Sequence, residues 1–204
     1  MSKTRLEAFS DGVFAIVITL LILNVHVPDG RALTLQSLRP LLPPLATFVL
    51  SFIIVGVYWI AHHHMLHFVI EVNRRMLWLN LLVLLCVVFI PFPTSLLGTG
   101  FNNPLVVRLY GLNLIATNAA GLFFWLYASA HEELIAPVVT KEFARTVVKI
   151  HSSPMIAYGL AVIVAGLSTK ASLVLYAAVP LFFILPNPLL ERTIGTATGD
   201  KAAR

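Results

Sequence analysis

From Gly12 to Val25 the chain carries no charge, and its only polar side chains are Thr19 and Asn24. Five more uncharged stretches follow: Leu41–Ala61, Met76–Leu97, Leu109–Ala130, Ser152–Leu167 and Ala171–Leu185. A helix needs about 20 mostly apolar residues to cross the hydrocarbon of a bilayer. The pattern predicts six transmembrane helices, the first extended at its start by the polar turn before Gly12. The sixth is short, with Pro180 inside it and "PNP" closing it. Pro91 and Pro93 lie near the end of the third, where they predict a kink, because proline removes a donor that neighbouring groups must replace.

Composition agrees with that pattern. The 204 residues are 58% hydrophobic and 11% charged, and the mean hydropathy is +0.89. Soluble domains carry about 25% charged residues, so the chain reads as an all-α polytopic membrane protein. It divides into one membrane domain, residues 1–190, and a polar tail, residues 191–204, expected to be disordered. The lone Cys86 excludes an internal disulfide and reads as a small core residue. Glu7 and Asp11 precede the first apolar run and no A-x-A-like site follows it, so that run reads as a retained helix rather than a signal peptide.

Basic residues set the expected orientation. With the N-terminus cytoplasmic, ten of the 14 Lys and Arg fall inside: Lys3, Arg5, Arg74, Arg75, Lys141, Arg145, Lys149, Arg192, Lys201 and Arg204. Four fall outside: Arg31, Arg39, Arg108 and Lys170. Both termini are therefore expected in the cytoplasm. The net charge of +5 is then accounted for by basic loops against an anionic leaflet, without a nucleic-acid partner.

The first helix carries the candidate chemistry. On a wheel of about 100° per residue, Leu20, Thr19 and Leu23 fall within about 60° of Ile16, while Asp11 lies about 140° away. A carboxylate facing lipid costs up to about 3 kcal/mol, so Asp11 is expected to face protein, with Arg5, a His or an Asn as natural partner. A solvated helix start capped by Ser10 and Asp11 accounts for the same residues. The Ile16–Leu20–Leu23 stripe fits a lipid-facing or buried helix. It equally fits a hydrophobic constriction, where rings of branched aliphatics gate by dewetting and Thr hydroxyls replace part of an ion's water.

The remaining motifs are weaker. In "YWIAHHHMLHFVIEVNRR", His63 and His67, or His64 and His67, share a helix face at metal-ligand spacing, with Glu71 as a further ligand. A pH-sensitive cluster at a helix end is the competing reading. His131-Glu132-Glu133 lacks the second His of H-E-x-x-H. There is no G-x-S-x-G, P-loop, "TVGYG" filter or row of voltage-sensing arginines. Deep membrane charges are nearly absent, which argues against a proton pump or carboxylate-driven antiporter.

Arg5-x-x-x-Phe9-Ser10-Asp11 resembles the signature of the transmembrane protein 175 family, potassium-permeable cation channels of endosomes, lysosomes and bacteria. "YWIAH" (Tyr58–His62) is similar to the end of the family's second helix, and "LNLLVLLCVVFIPFPTSLL" (Leu79–Leu97) to its third. The resemblance implies six helices per subunit, the first lining a central pore. A single "FSD" implies the bacterial type, a homotetramer in the plasma membrane of a prokaryote. It implies a constriction at Ile16, Leu20 and Leu23, selectivity for potassium over sodium at Thr19, and a polar network behind the pore helix formed by Arg5, Ser10, Asp11, His62 and Asn80. The cargo would be potassium and other monovalent cations, with no cofactor and no metal site. Two alternatives stay open: a metal-dependent membrane enzyme using His63, His64, His67 and Glu71, and a secondary cation transporter, although no inverted repeat supports the latter.

Overall fold

The structure, a computed structural model, describes residues 2–25 and 35–184. Its order is α1 (Lys3–Leu20), α2 (Leu35–Leu38), α3 (Leu42–His67), α4 (Arg74–Phe89), α5 (Pro91–Gly100), α6 (Pro104–Ser129), α7 (Lys141–Val164) and α8 (Thr169–Ile184). Short 3-10 turns extend α1 over Leu21–Asn24 and join α2 to α3 over Arg39–Leu41. No strand occurs among the described residues, only an antiparallel bridge between Val69 and Ile135. Five helical stretches are long and apolar enough to span a membrane, and the 16-residue α8 is shorter. The expected tail, Leu185, His26, Arg31, Arg192, Lys201 and Arg204 lie outside the described residues.

The helices begin earlier than the uncharged runs do. α1 starts nine residues before Gly12 and α7 eleven before Ser152. α3 continues to His67, so the whole histidine cluster is helical. Charged side chains are compatible with a helix wherever they reach the interface, so hydropathy marks the hydrocarbon rather than the helix ends. The starts of α4, α6 and α7 are capped by side chains. The Asn73, Asn103 and Thr140 side chains accept from Met76, Leu105 and Phe143 backbone N–H groups at 3.0, 2.9 and 3.1 Å, satisfying donors that a helix cannot satisfy internally.

The third predicted span is two helices. Pro91 cannot donate, so the ladder breaks at Ile90, whose N–H turns to the Val87 carbonyl at 3.0 Å. Thr94 repairs the far side, its hydroxyl donating to the Ile90 carbonyl at 2.8 Å. Asn24, at the end of the α1 extension, donates to the Pro91 carbonyl at 3.3 Å. The break between α4 and α5 is thereby tied to the end of the first helix.

Two apolar clusters hold the subunit together. One joins α1 to α3, α4 and α6 through Phe14, Val17, Leu21, Val55, Val83, Val87 and Phe124. The other joins α3, α5, α6, α7 and α8 through Ile54, Leu97, Tyr110, Leu114, Tyr158 and Tyr176. Because lipid is as apolar as these side chains, association relies on close packing and interhelical hydrogen bonds. Ser51 on α3 lies 2.8 Å from the Thr94 hydroxyl and 2.9 Å from the Tyr110 hydroxyl, and Asn118 donates to the Tyr58 hydroxyl at 2.7 Å. Asn113 donates to the Cys86 carbonyl at 3.1 Å.

Gly111 leaves room on α6 for Tyr176 of α8. A Cβ there would collide with the Tyr176 hydroxyl and Val162. The same Tyr176 hydroxyl donates to the Val107 carbonyl at 3.1 Å. Gly111→Ala is expected to push α8 off α6 and destabilise the subunit by about 1–3 kcal/mol. Thermal unfolding in detergent checks this, with Gly12→Ala, which meets nothing within 4 Å, as the neutral control.

Candidate functional site: the exposed face of the first helix

α1 has two unlike faces. Leu6, Ser10, Phe14, Val17 and Leu21 recur at helical spacing and are buried, the three apolar ones from Phe14 onward at most 1% exposed. Opposite them Ile16 is 59%, Leu20 43% and Leu23 66% exposed within the single chain, and Thr19 is exposed beside them. The hydropathy of the helix is therefore spent on both sides, half against the subunit and half outward. The Thr19 hydroxyl donates to the Ile16 carbonyl at 2.8 Å. Its proton is thus turned along the helix, leaving oxygen lone pairs outward, the polarity suited to a cation.

Behind the helix lies a buried polar knot. The Asn80 side-chain amide donates to the Ser10 hydroxyl at 3.1 Å, and its Oδ1 lies 2.8 Å from His62 Nε2. All three residues are at most 2% exposed. They come from α1, α3 and α4, so one contact fixes the rotation of α1 against both neighbours. The His62 ring also lies 5.5 Å from Phe14 and 6.2 Å from Phe124, which sets its orientation.

Asp11 does not join that knot. It is exposed on the flank of α1, about 100° from the centre of the buried face, and accepts from Trp59 Nε1 at 2.9 Å. The partner is thus an indole on α3 rather than the arginine, histidine or asparagine expected from sequence. The only sequence signal for Trp59 is its place in "YWIAH", one turn before His62 and His63. Arg5 is also outside the knot, and its side chain has no partner among the described residues. The wheel gives the reason: Arg5 lies about 20° from Ile16, on the outward stripe. Lys3, about 140° from Ile16, takes the bracing position instead. It donates to the His67 carbonyl at 3.1 Å and pairs with Glu7 at 3.6 Å, a cation against the C-terminus of α3.

The histidines next to the knot remain outward. His63, His64 and His67 are exposed, with the His63 ring 5.9 Å from Trp59 and 6.1 Å from His64. Among the described residues no three His, Cys, Asp or Glu side chains are grouped to hold a metal ion.

Comparison with known proteins identifies the fold. The family described as "Endosomal/lysosomal potassium channel TMEM175" matches residues 5–91. "Potassium channel B446_29190" of Streptomyces collinus is 34% identical over 88% of this chain and 90% of its own length. "Potassium channel HX13_20290" of a Chryseobacterium species is 43% identical over 59% of this chain and 62% of its own. "Endosomal/lysosomal proton channel TMEM175" of Gallus gallus is 30% identical over 90% of this chain, which spans only 41% of that protein. The crystal structure titled as a lysosomal potassium-selective channel TMEM175 homolog from Chamaesiphon minutus superposes with a TM-score of 0.78 at 28% identity, over 90% of this chain and 96% of that one. The relatives are named as channels and not as enzymes, which removes the metal-enzyme alternative. With the outward stripe, the knot behind it and these matches together, the chain belongs to the TMEM175 family of multi-pass membrane channels.

Proposed function

We propose that the protein is a potassium-permeable cation channel whose path is lined by α1 from four copies. The observation that carries this reading is the exposed stripe of α1, uncharged from Gly12 onward, turned away from the rest of its own subunit in a family whose relatives are named potassium or proton channels. Four stripes facing an axis stack rings of Ile16, Leu20 and Leu23, a neck that blocks ions when dry and passes them when wet. Thr19 supplies a ring of hydroxyl oxygens between the Ile16 and Leu20 rings. With no ring of backbone carbonyls in the neck, selectivity for potassium over sodium is modest. Ser10, His62 and Asn80 hold each pore helix from behind, Asp11 braces it against Trp59, and Arg5 faces outward at its cytoplasmic end. The channel sits in the plasma membrane of a prokaryote, with both termini in the cytoplasm.

Purified protein in liposomes loaded with potassium and diluted into an impermeant cation tests this. Efflux is followed as protonophore-coupled quenching of a pH dye. Quenching that requires both protein and the protonophore supports a potassium path; quenching without the protonophore indicates that protons pass unaided. Saturating flux coupled to a second ion would replace the channel with a transporter. Thr19→Ala is expected to change the potassium-to-sodium flux ratio severalfold with the assembly intact, since the side chain is exposed and bonds only its own helix. Asp11→Ala removes the acceptor of the Trp59 indole and is expected to lower the assembled fraction or the flux. An Asp11→Ala protein that stays tetrameric and fully conductive would remove the bracing role.

A further inference from the structure

α7 carries a second outward feature, away from the first helix. Lys141, Arg145 and Lys149 follow one another at four-residue spacing and are all exposed. None makes an ion pair or side-chain hydrogen bond among the described residues. The nearest acid in sequence, Glu142, is exposed at the edge of the same face, about 60° around the helix from Arg145, and makes no ion pair with it. Glu132 and Glu133 are exposed in the loop before α7. The basic stripe then runs into an apolar one. Ile156, Leu160 and Ile163 fall within the same arc of about 100° and are 67%, 54% and 69% exposed. Between them, the Ser152 and Ser153 hydroxyls turn back onto the Val148 and Ile150 carbonyls at 2.7 and 3.1 Å, so they add no outward-pointing proton.

Depth makes this more than a solvated face. The uncharged chain from Ile150 to Val164 covers about 22 Å as helix and a turn carries it on to Leu167, most of the hydrocarbon thickness of about 30 Å. Lys149 then stands at the edge of the hydrocarbon, and Lys141 lies about 12 Å further out, through a headgroup layer about 5–8 Å deep. Cations at that edge need an anion, and their stems lie along apolar surface. We propose that this stripe is a binding site for an anionic phospholipid. Its phosphate is held between the Arg145 guanidinium, which offers a planar fork of donors, and the Lys149 ammonium. Its acyl chains lie along Ile156, Leu160 and Ile163. The site is independent of the conduction path and of which leaflet α7 begins in.

The test is native mass spectrometry of the assembled protein from micelles holding equal phosphatidylglycerol and phosphatidylcholine, with melting temperature read in each lipid. The wild-type protein is expected to retain phosphatidylglycerol preferentially. Arg145→Gln with Lys149→Gln is expected to weaken that preference about fivefold per cation, about 25-fold together. The charge-keeping pair Arg145→Lys with Lys149→Arg is expected to retain most of it, as is Arg74→Gln with Arg75→Gln. The proposal is overturned if the neutralised α7 pair keeps the wild-type preference. It is equally overturned if the Arg74 and Arg75 changes abolish the preference to the same degree, which would mark a diffuse field. Loss of oligomer size in both lipids, without a change in preference, would put a neighbouring subunit on the stripe and overturn it as well.

Discussion

Asn80→Leu is expected to unfold the seat of α1, lowering subunit stability by about 2–4 kcal/mol and abolishing flux. Asn80 contacts two other helices at once, reaching Ser10 at 3.1 Å and His62 at 2.8 Å. Interhelical hydrogen bonds in membranes average only about 0.6 kcal/mol each. A buried polar group left unsatisfied costs about 1–3 kcal/mol. Ser10 can fall back on a carbonyl one turn earlier in its own helix. His62 has no such recourse, because its ring is fixed between Phe14 and Phe124. Most of the loss should therefore come from the stranded imidazole. The double change His62→Phe with Asn80→Leu separates the causes, since removing both partners of a buried bond is nearly neutral. Melting temperature and oligomer size read both variants. A double variant as unstable as Asn80→Leu alone would assign the loss to shape rather than to the hydrogen bond.

Ile16→Thr should do the opposite, leaving the fold intact and opening the path. Ile16 is 59% exposed and contributes to neither apolar cluster, so the change removes little packing within the subunit. Threonine keeps the β-branch, although its χ1 splits between two helical rotamers where isoleucine holds one. In the proposed four-copy neck it would add four hydroxyls at the Ile16 ring, and a wetted ring has a lower barrier to a hydrated cation. Each 1.36 kcal/mol removed from that barrier raises the rate tenfold, and an increase of at least tenfold in liposome flux is expected. Val17→Thr, one residue away but 1% exposed, should instead lower the melting temperature without raising flux. Unchanged flux in an assembled Ile16→Thr protein would turn the stripe toward lipid and remove the proposed neck.

Much of this was readable along the chain, for a simple reason. Burial in lipid and burial in protein both demand uncharged helix, so the six hydrophobic runs and the all-α class follow from hydropathy alone. Hydropathy cannot tell the two environments apart. Val17 and Ile16 are equally apolar neighbours, yet one is 1% and the other 59% exposed. The wheel separated the Ile16–Leu20–Leu23 stripe from Asp11, but not which side the subunit would cover.

Sequence by itself determined the number of apolar runs, their order and the polar opening of the first, because charge is excluded from hydrocarbon whatever the fold. Tertiary structure alone decided which polar residues meet. Ser10, His62 and Asn80 lie 18 to 70 residues apart in pairs, and only the angles at which α1, α3 and α4 cross bring Ser10 and His62 each within 3.1 Å of Asn80. The same geometry gave Asp11 the Trp59 indole, gave Lys3 the carbonyl end of α3, and left Arg5 on the outward stripe. A helix has one phase along its whole length, so fixing Ser10 inward at the knot fixed every other residue of α1 as well.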